Sequence, residues 1–287
     1  MDLALLSQKD EFLQRTTERL GATPLDYVEK LAAIKASEKT KELNQAAGVL
    51  LLLHYKQTQK APGGAAGEFY FQLIKRSTRV SQAGDLSCPG GMLHPLLDPF
   101  LSRLIGSGLI PILRGDSLAY ARRRDTDTLR IMNLFLANAI RESWEELRLN
   151  PCNIAFLGPL PTYSLILFRR TIFPVVGFVK RQWHFRPNHE VDKVVEIPLR
   201  AFFEKDSYGR YVIEASAQLK ESDVSPLELP CLIHPDNEGR EDILWGATLN
   251  IIHYFLHIVC GFMIPDLRAN RVIKKIIRPE YMKGRPK

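Results

Sequence analysis

The segment TDTLRIMNLFLANAIRESWEEL, residues 126–147, most constrains the fold, because it is a long helical pattern that lies between strand-like runs. Either Asp125 or Thr126 is suited to cap its first turn. Runs of strand character, rich in aliphatic and aromatic side chains, occupy positions 46–55, 68–77, 150–160 and 171–185. Strands on both sides of a central helix predict a mixed α/β (α+β) sandwich.

The other segments add elements to this sandwich. Residues 1–45 alternate charged and apolar side chains with a period near 3.6, which predicts an N-terminal helical extension. Gly209 suggests a hairpin within 205–215. The apolar stretch 249–265 is too short and too polar to cross a bilayer, so it predicts a buried helix. Residues 266–287 predict a basic C-terminal tail.

Composition places the chain among globular proteins. It has 287 residues, of which 45% are hydrophobic and 25% charged, and its net charge is +7 without a sustained basic stripe. The four cysteines are widely spaced and form no CxxC pair, which argues against a zinc knuckle or a disulfide framework. The first residues lack the pattern of a signal peptide. These features predict a cytoplasmic protein with no nucleic-acid partner and no membrane span.

Three glutamates near the end of the long helical segment repel one another. Glu142, Glu145 and Glu146 are spaced i, i+3 and i+4, which places them on one helical face at a cost of about 0.2–0.5 kcal/mol for each close pair. A solvated helix face is the ordinary interpretation, and a cation site is the alternative. Two neighbours favour the cation site: a CPGG turn at 88–91 precedes the helix, and the strand-like NIAFLG follows it.

This arrangement resembles the Nudix hydrolase family, whose box has the signature G-x5-E-x7-R-E-U-x-E-E-x-G-U, where U is aliphatic. Residues 141–149 match the second half of the box, and Gly91 matches its first glycine. The surrounding motifs resemble the coenzyme A pyrophosphatase-like subgroup. In chain order they are LIKRSTRVSQAGDLSCPGG (73–91), FLGPLP (156–161), PVVG (174–177), NHEV (188–191), IPL (197–199) and LWGATLNII (244–252).

The resemblance implies a Nudix-type α/β/α sandwich with a mixed sheet over residues 46–265. Between Gly91 and Arg141 lie 49 residues, where the signature has thirteen, so a helical insertion at about 97–136 is expected inside the box. Its role is a lid, a dimer contact, a substrate clamp or a surface hairpin without a ligand. Three positions depart from the signature: the early glutamate is Leu97 or Asn133 depending on the end from which it is counted, Ser143 stands at an aliphatic position and Arg148 at the late glycine.

The family chemistry implies a Mg²⁺ or Mn²⁺ site. Glu142, Glu145 and Glu146 are then the metal ligands, and one of them, or a water that they hold, is the general base. Hard carboxylate oxygens suit these cations. Arg141 is expected to orient a glutamate.

Several residues outside the helix complete the expected site. Gly90 and Gly91 let the backbone approach the metal. Glu190 is a candidate extra carboxylate. The basic residues before the glycine turn are candidates for substrate phosphates, although solvated charge is an equal alternative for each; they are Lys75, Arg76 and Arg79.

The subgroup implies hydrolysis of coenzyme A or an acyl derivative to a phosphopantetheine and adenosine 3′,5′-bisphosphate. Another diphosphate, such as ADP-ribose or a dinucleotide, is a second possibility. A catalytically silent Nudix-fold protein that binds a nucleotide or a partner is a third. In the two enzyme hypotheses the partner is a small-molecule nucleoside diphosphate substrate. A homodimer is one option for the assembly.

Other candidate sites are weaker. His253 and His257 have the i, i+4 spacing of a zinc pair, but Tyr254 stands where HExxH requires glutamate, so packed core histidines are the preferred interpretation. Cys88 has no visible base to activate it. Trp245 is interpreted as a core anchor rather than a base-stacking residue.

Overall fold

The computed structural model describes residues 3–39, 44–58, 66–165, 169–215, 227–236, 238–268, 270–277 and 281. The α-helices are α1 (Lys9–Ala22), α2 (Tyr27–Lys39), α3 (Leu97–Gly106), α4 (Gly115–Arg122), α5 (Thr126–Leu147) and α6 (Gly246–Cys260). The strands are β1 (Gln45–Thr58), β2 (Ala66–Arg76), β3 (Leu86–Ser87), β4 (Gly90–Met92), β5 (Ile154–Pro159), β6 (Tyr163–Leu165), β7 (Arg170–Val179), β8 (Val191–Pro198), β9 (Tyr208–Ala215), β10 (Leu227–Pro235), β11 (Glu241–Trp245) and β12 (Val272–Ile277).

The larger sheet is mixed. Its strand order is β3-β2-β1-β7-β5, with β4 on β1, β6 on β7 and β8 on β2. Strands β1 and β7 run parallel, and the other pairs in this sheet are antiparallel. The parallel pair needs a long crossover, which the segment from β2 to β6 supplies with helices α3 to α5.

Strand β1 is buried on both faces, which shows that the sheet lies between two layers. Leu50 and Leu52 pack in a core with Phe135 of α5, whereas Leu51 and Leu53 pack in a second core with Phe255 of α6. Side chains alternate across a strand, so consecutive leucines enter opposite cores. The predicted mixed α/β sandwich is confirmed.

The smaller sheet corrects one prediction. Its order is β11-β10-β9-β12, and β12 runs parallel to β9. The predicted hairpin around Gly209 is wrong, because Gly209 lies inside β9 opposite Cys231 of β10. A Cβ at Gly209 would lie 3.1 Å from the Arg271 carbonyl oxygen, so this glycine permits close approach of neighbouring strands rather than a turn.

The N-terminal helices pack into the same cores. Phe12 of α1 and Tyr27 of α2 are fully buried, and the Tyr27 hydroxyl donates to the Pro174 carbonyl at 3.0 Å. At the other end of the chain, the segment 266–287 contains β12, and most of the residues after β12 lie outside the described ones. In the described part of the chain, no helix is long and apolar enough to cross a membrane. The division into 1–45, 46–265 and 266–287 stays a prediction.

Helix α5 begins as expected and ends unusually. Asp125 caps it, since its carboxylate accepts from the Thr128 N–H at 2.8 Å. Its C-cap, Arg148, adopts the left-handed conformation with φ 55° and ψ 29°. This is the position where the Nudix signature has glycine, and glycine occupies that conformation without the Cβ penalty.

Replacing Arg148 by glycine is expected to raise the free energy of unfolding by roughly 0.5–1 kcal/mol. The gain is limited because the Arg148 guanidinium lies 5.7 Å from the Trp144 ring centre, a contact that glycine loses. Urea denaturation measures the change. Arg148→Ala, which loses the same contact but keeps the Cβ, is the control and is expected to destabilise the protein. A glycine variant no more stable than the alanine variant would contradict this account.

Candidate active site

The site lies where α5 packs against the paired strands β1 and β4. Asn138 fixes this crossing: its Oδ1 accepts from the Gly48 N–H at 2.6 Å, and its Nδ2 donates to the Met92 carbonyl at 2.9 Å. Asn138 is fully buried, so both ends of its amide are satisfied inside the protein. A side chain at Gly48 would overlap this amide and the Phe135 carbonyl. The helix is thereby held directly over the glycine turn.

Arg141 is bound by a carboxylate that lies within the predicted insertion. Asp98 of α3 is fully buried and accepts from Arg141 Nε at 2.7 Å and from Nη2 at 3.2 Å. Asp98 also accepts from Asn138 Nδ2 at 3.0 Å and from the His94 N–H at 2.7 Å. Hydrogen bonds to carboxylates raise the pKa of Arg141, against the opposing effect of burial. Thus α3 anchors the arginine that precedes the glutamates.

Two of the three glutamates face the glycine turn. Glu146 is nearly fully buried and accepts from the Gly90 N–H at 3.0 Å. Glu142 forms an ion pair with Arg141 at 2.9 Å, and its Oε1 lies 2.5 Å from where a Cβ at Gly91 would stand. Any residue other than glycine at position 91 would therefore displace this carboxylate.

Burial disfavours the ionised form of both carboxylates. It raises the pKa of Glu146 to about 8, with a further contribution from the negative charge of Glu142 and an opposing one from the Gly90 N–H. Burial also raises the pKa of Glu142, although Arg141 opposes the shift. A cation bound between these side chains would reverse both effects, because it stabilises the ionised carboxylates.

The third glutamate is placed differently. Glu145 is half exposed and accepts from Arg141 Nη1 at 3.1 Å. Among the described residues, no three His, Cys, Asp or Glu side chains are grouped closely enough to hold a metal ion. Glu145 would have to leave Arg141 to join the other two. The glycine cradle and the oxygen donors of Glu142 and Glu146 nevertheless suit a hard divalent cation.

The stability of the metal-free protein is expected to fall as pH rises from about 5 to about 8. Between its unfolded value of 4.5 and its folded value of about 8, Glu146 binds more protons in the native state than in the unfolded state. The loss is up to roughly 4 kcal/mol for this group. Urea denaturation in EDTA at several pH values measures it. Glu146→Gln removes the titration, so an equal pH slope in the variant would contradict the assignment.

A cavity of about 660 Å³ begins at Gly90 and Gly91 and extends towards the smaller sheet. Its wall is mainly apolar, with Trp245 and Tyr163 among the larger side chains. Arg76 lines it, and the positive charge of Arg76 lowers the pKa of Glu146. The carboxylates therefore lie beside a space that can accommodate a small molecule.

The remaining predicted residues divide into two groups. Glu190 is half exposed, but its negative charge raises the pKa of Glu146, so it stands on the same side of the molecule. Arg79 is exposed in a turn and does not line the cavity. Lys75 forms an ion pair with the buried Asp242 at 2.8 Å, a structural role that leaves it outside the site. Arg76 and Glu190 remain candidates near the carboxylates.

The weaker candidates have other partners. His253 Nε2 lies 3.0 Å from the Tyr208 hydroxyl, and His257 Nδ1 lies 3.1 Å from the Phe262 carbonyl. Burial lowers the pKa of His253 to about 4 and raises that of the Cys88 thiol to about 12. A neutral buried thiol is a poor nucleophile. Trp245 donates from Nε1 to Asp85 at 3.2 Å and lines the cavity.

Sequence reasoning missed three polar residues at this site: Asp98, Asn138 and Arg170. Asp98 is the first carboxylate after the glycine turn, one position beyond Leu97, which occupies the position of the early box glutamate when counted from Gly91. Asn138 precedes Arg141 by three residues, so helical periodicity places it on the same face. Arg170 carried no motif, and only the fold shows that it lines the cavity.

Comparison with known proteins gives one informative similarity. No family model matches the chain. A protein of Pectobacterium atrosepticum called uncharacterized Nudix hydrolase NudL is 32% identical over 120 residues, which cover 41% of this chain and 55% of that protein. This is a similarity to a Nudix hydrolase over less than half of this chain. The chain thus matches about half the length of this Nudix relative.

Solved Nudix structures show only a weak likeness. A Nudix hydrolase from Nitrosomonas europaea has 11% identity and a TM-score of 0.36, with 81% of this chain and 80% of that chain covered. The Nudix hydrolase RenU from M. smegmatis has 16% identity and a TM-score of 0.32, with 54% and 71% covered. Scores of this size do not establish a shared fold.

Proposed function

We propose that this chain is a divalent-metal-dependent hydrolase of a diphosphate linkage in a nucleoside diphosphate derivative. The observation that carries the proposal is the pairing of the buried Glu146 and Glu142 with Gly90 and Gly91 at the mouth of the cavity. The curated Nudix relative supports it. The four cysteines are free, in keeping with a reducing, cytoplasmic setting as part of the proposal.

Mg²⁺ or Mn²⁺ is the proposed cofactor. Glu142 and Glu146 would hold it, and Glu145 would join them on release from Arg141. When bound, such a cation neutralises diphosphate charge, positions an attacking water and lowers the pKa of that water. The chain itself contributes a rigid helix, held by Asn138 and Asp98, that keeps the carboxylates in place before substrate arrives.

Arg141 is proposed as a positioning residue. Its side chain is only 10% exposed, and its bonds go to Asp98, Glu142 and Glu145 rather than to the cavity. It therefore fixes the orientation of the glutamates. Glu190 is proposed as an additional carboxylate near Glu146 because its negative charge raises the pKa of Glu146.

For the substrate we propose coenzyme A or an acyl derivative, cleaved to a phosphopantetheine and adenosine 3′,5′-bisphosphate. The order of the sequence motifs over 73–252 supports this choice, and the apolar cavity wall offers room for a group beyond the diphosphate. ADP-ribose or a dinucleotide is the alternative within the same chemistry.

A panel of coenzyme A, an acyl derivative, ADP-ribose and a dinucleotide, each with Mg²⁺ or Mn²⁺, tests the proposal. Chromatographic detection of adenosine 3′,5′-bisphosphate from coenzyme A is the expected result. Turnover of ADP-ribose but not of coenzyme A would show that coenzyme A is the wrong substrate and would favour the alternative. No cleavage of any diphosphate, with Glu145→Gln behaving like the wild type, would overturn the hydrolase.

The silent binding protein remains a second candidate because of one observation. In this conformation Arg141 binds both Glu142 and Glu145, and the described carboxylates do not form a three-ligand group. The same panel separates the two functions. Binding of a nucleotide without product release at any metal concentration would favour the silent protein.

A further inference from the structure

Two arginines from different strands share the cavity. Arg76 ends β2, and Arg170 begins β7 on the other side of β1. Both line the cavity that starts at the glycine turn. Burial lowers the pKa of Arg170, and the positive charge of Arg76 lowers it further, as expected for like charges on the wall of a partly desolvated cavity.

The two guanidinium groups lack a close counter-charge among the described residues, although the charge of Arg76 acts on Glu146 and lowers its pKa. In the part of the chain that the structure describes, no ion pair involves Arg76 or Arg170, and the buried Nε of Arg170 has no hydrogen-bond partner. Arg76 donates from Nε to the Ser81 carbonyl at 2.9 Å, which fixes its position without removing its charge. A buried donor without a partner and two positive charges on one cavity wall are costly, and a bound anion would offset that cost.

The acidic side chain on the same cavity wall is already engaged. Asp85 accepts from Lys275 at 2.5 Å, from Trp245 at 3.2 Å and from the Tyr281 hydroxyl. It therefore does not neutralise the arginines. The uncapped start of α6 at Gly246 also lines the cavity, and the partial positive charge of a helix N-terminus adds to the attraction for an anion.

We propose that Arg76 and Arg170 together form a binding site for a phosphoryl group of the substrate. The choice of phosphate rests on the proposed function, whereas the requirement for an anion rests on the cavity itself. Guanidinium groups bind phosphate oxygens through directional, charge-assisted hydrogen bonds. Arg170 thereby becomes a specificity-determining residue from β7, with Arg76 as its partner.

Calorimetric titration with inorganic pyrophosphate in EDTA tests this site without any metal or turnover. Arg170→Met and Arg76→Met are each expected to weaken binding at least about tenfold. Arg169→Met is the matched control, because Arg169 is the exposed neighbour of Arg170 and does not line the cavity; its affinity is expected to be unchanged. Wild-type affinity in Arg170→Met, or an equal loss in Arg169→Met, would overturn the proposal.

Thermal denaturation supplies a readout that a purely structural arginine would not give. Arg170→Met is expected to melt at or above the wild-type temperature without anions, because it removes a close positive charge. Pyrophosphate should raise the melting temperature of the wild type and not that of the variant. A lower melting temperature in Arg170→Met together with retained stabilisation by pyrophosphate would overturn the site. If Arg170→Met does not fold, Arg76→Met decides the question.

The source of the phosphate is addressed by comparing ADP with adenosine under the same conditions. The affinity for ADP is expected to fall in both arginine variants, whereas the affinity for adenosine is expected to stay the same in both. If the wild type cleaves no diphosphate but binds ADP and pyrophosphate through the two arginines, the phosphoryl-binding site is upheld and the proposed hydrolase function is overturned. Hydrolysis with an unchanged KM in Arg170→Met, and unchanged pyrophosphate affinity, would overturn the site alone.

Discussion

Glu146→Gln is expected to lower the turnover of the cleaved diphosphate at least about 100-fold while the protein stays folded. The variant removes a negative charge from the proposed metal site, and loss of about 3 kcal/mol of transition-state stabilisation corresponds to roughly this factor. The fold should tolerate the change because Glu146 is nearly fully buried with a pKa of about 8 and is costly to ionise there. Steady-state kinetics with the best substrate of the panel measure the effect.

The control for this prediction is Glu18→Gln, which alters an exposed glutamate on α1, away from the site. It is expected to keep wild-type turnover. An active Glu146→Gln variant, within a factor of three of Glu18→Gln, would show that Glu146 does not take part in the reaction.

The second large effect concerns stability: Asp98→Ala is expected to lower the free energy of unfolding by about 3–5 kcal/mol. Asp98 is fully buried, and its loss leaves the Arg141 guanidinium and the Asn138 amide without their shared acceptor. Arg141 keeps its ion pairs with Glu142 and Glu145, but its Nε loses its acceptor, and a buried donor left without an acceptor costs more than the lost bond contributed. Urea denaturation of the metal-free protein measures this loss.

Asp116→Ala is the matched control, because Asp116 is an exposed aspartate in the neighbouring helix α4. It is expected to change stability by less than about 0.5 kcal/mol. The double variant Asp98→Leu with Arg141→Met should recover part of the loss, because the guanidinium that loses Asp98 as its acceptor is removed as well. Equal effects of Asp98→Ala and Asp116→Ala would contradict the role of the buried pair.

The central helix and its site face were predictable because local periodicity determines them. Asp125 caps α5, and spacing alone places Glu142 and Glu146 on one face. The buried α6 was predictable for the same reason, since a long apolar pattern leaves few alternatives.

Contacts between distant segments were not predictable from spacing. The partnership of Asp98 with Arg141 depends on how α3 folds back against α5, and the approach of Arg170 to Arg76 depends on the strand order around β1. Gly209 was misinterpreted because glycine serves close strand packing as well as turns. Glu145 is half exposed and bonded to Arg141, and charge spacing reveals neither.

Manganese titration of the metal-free protein, followed by electron paramagnetic resonance, tests most directly that Glu142 and Glu146 form a cation site. The wild type and Glu18→Gln are expected to bind Mn²⁺ alike, and Glu146→Gln to bind at least about tenfold more weakly. Equal Mn²⁺ affinity in the wild type and in Glu146→Gln would contradict the proposed metal site.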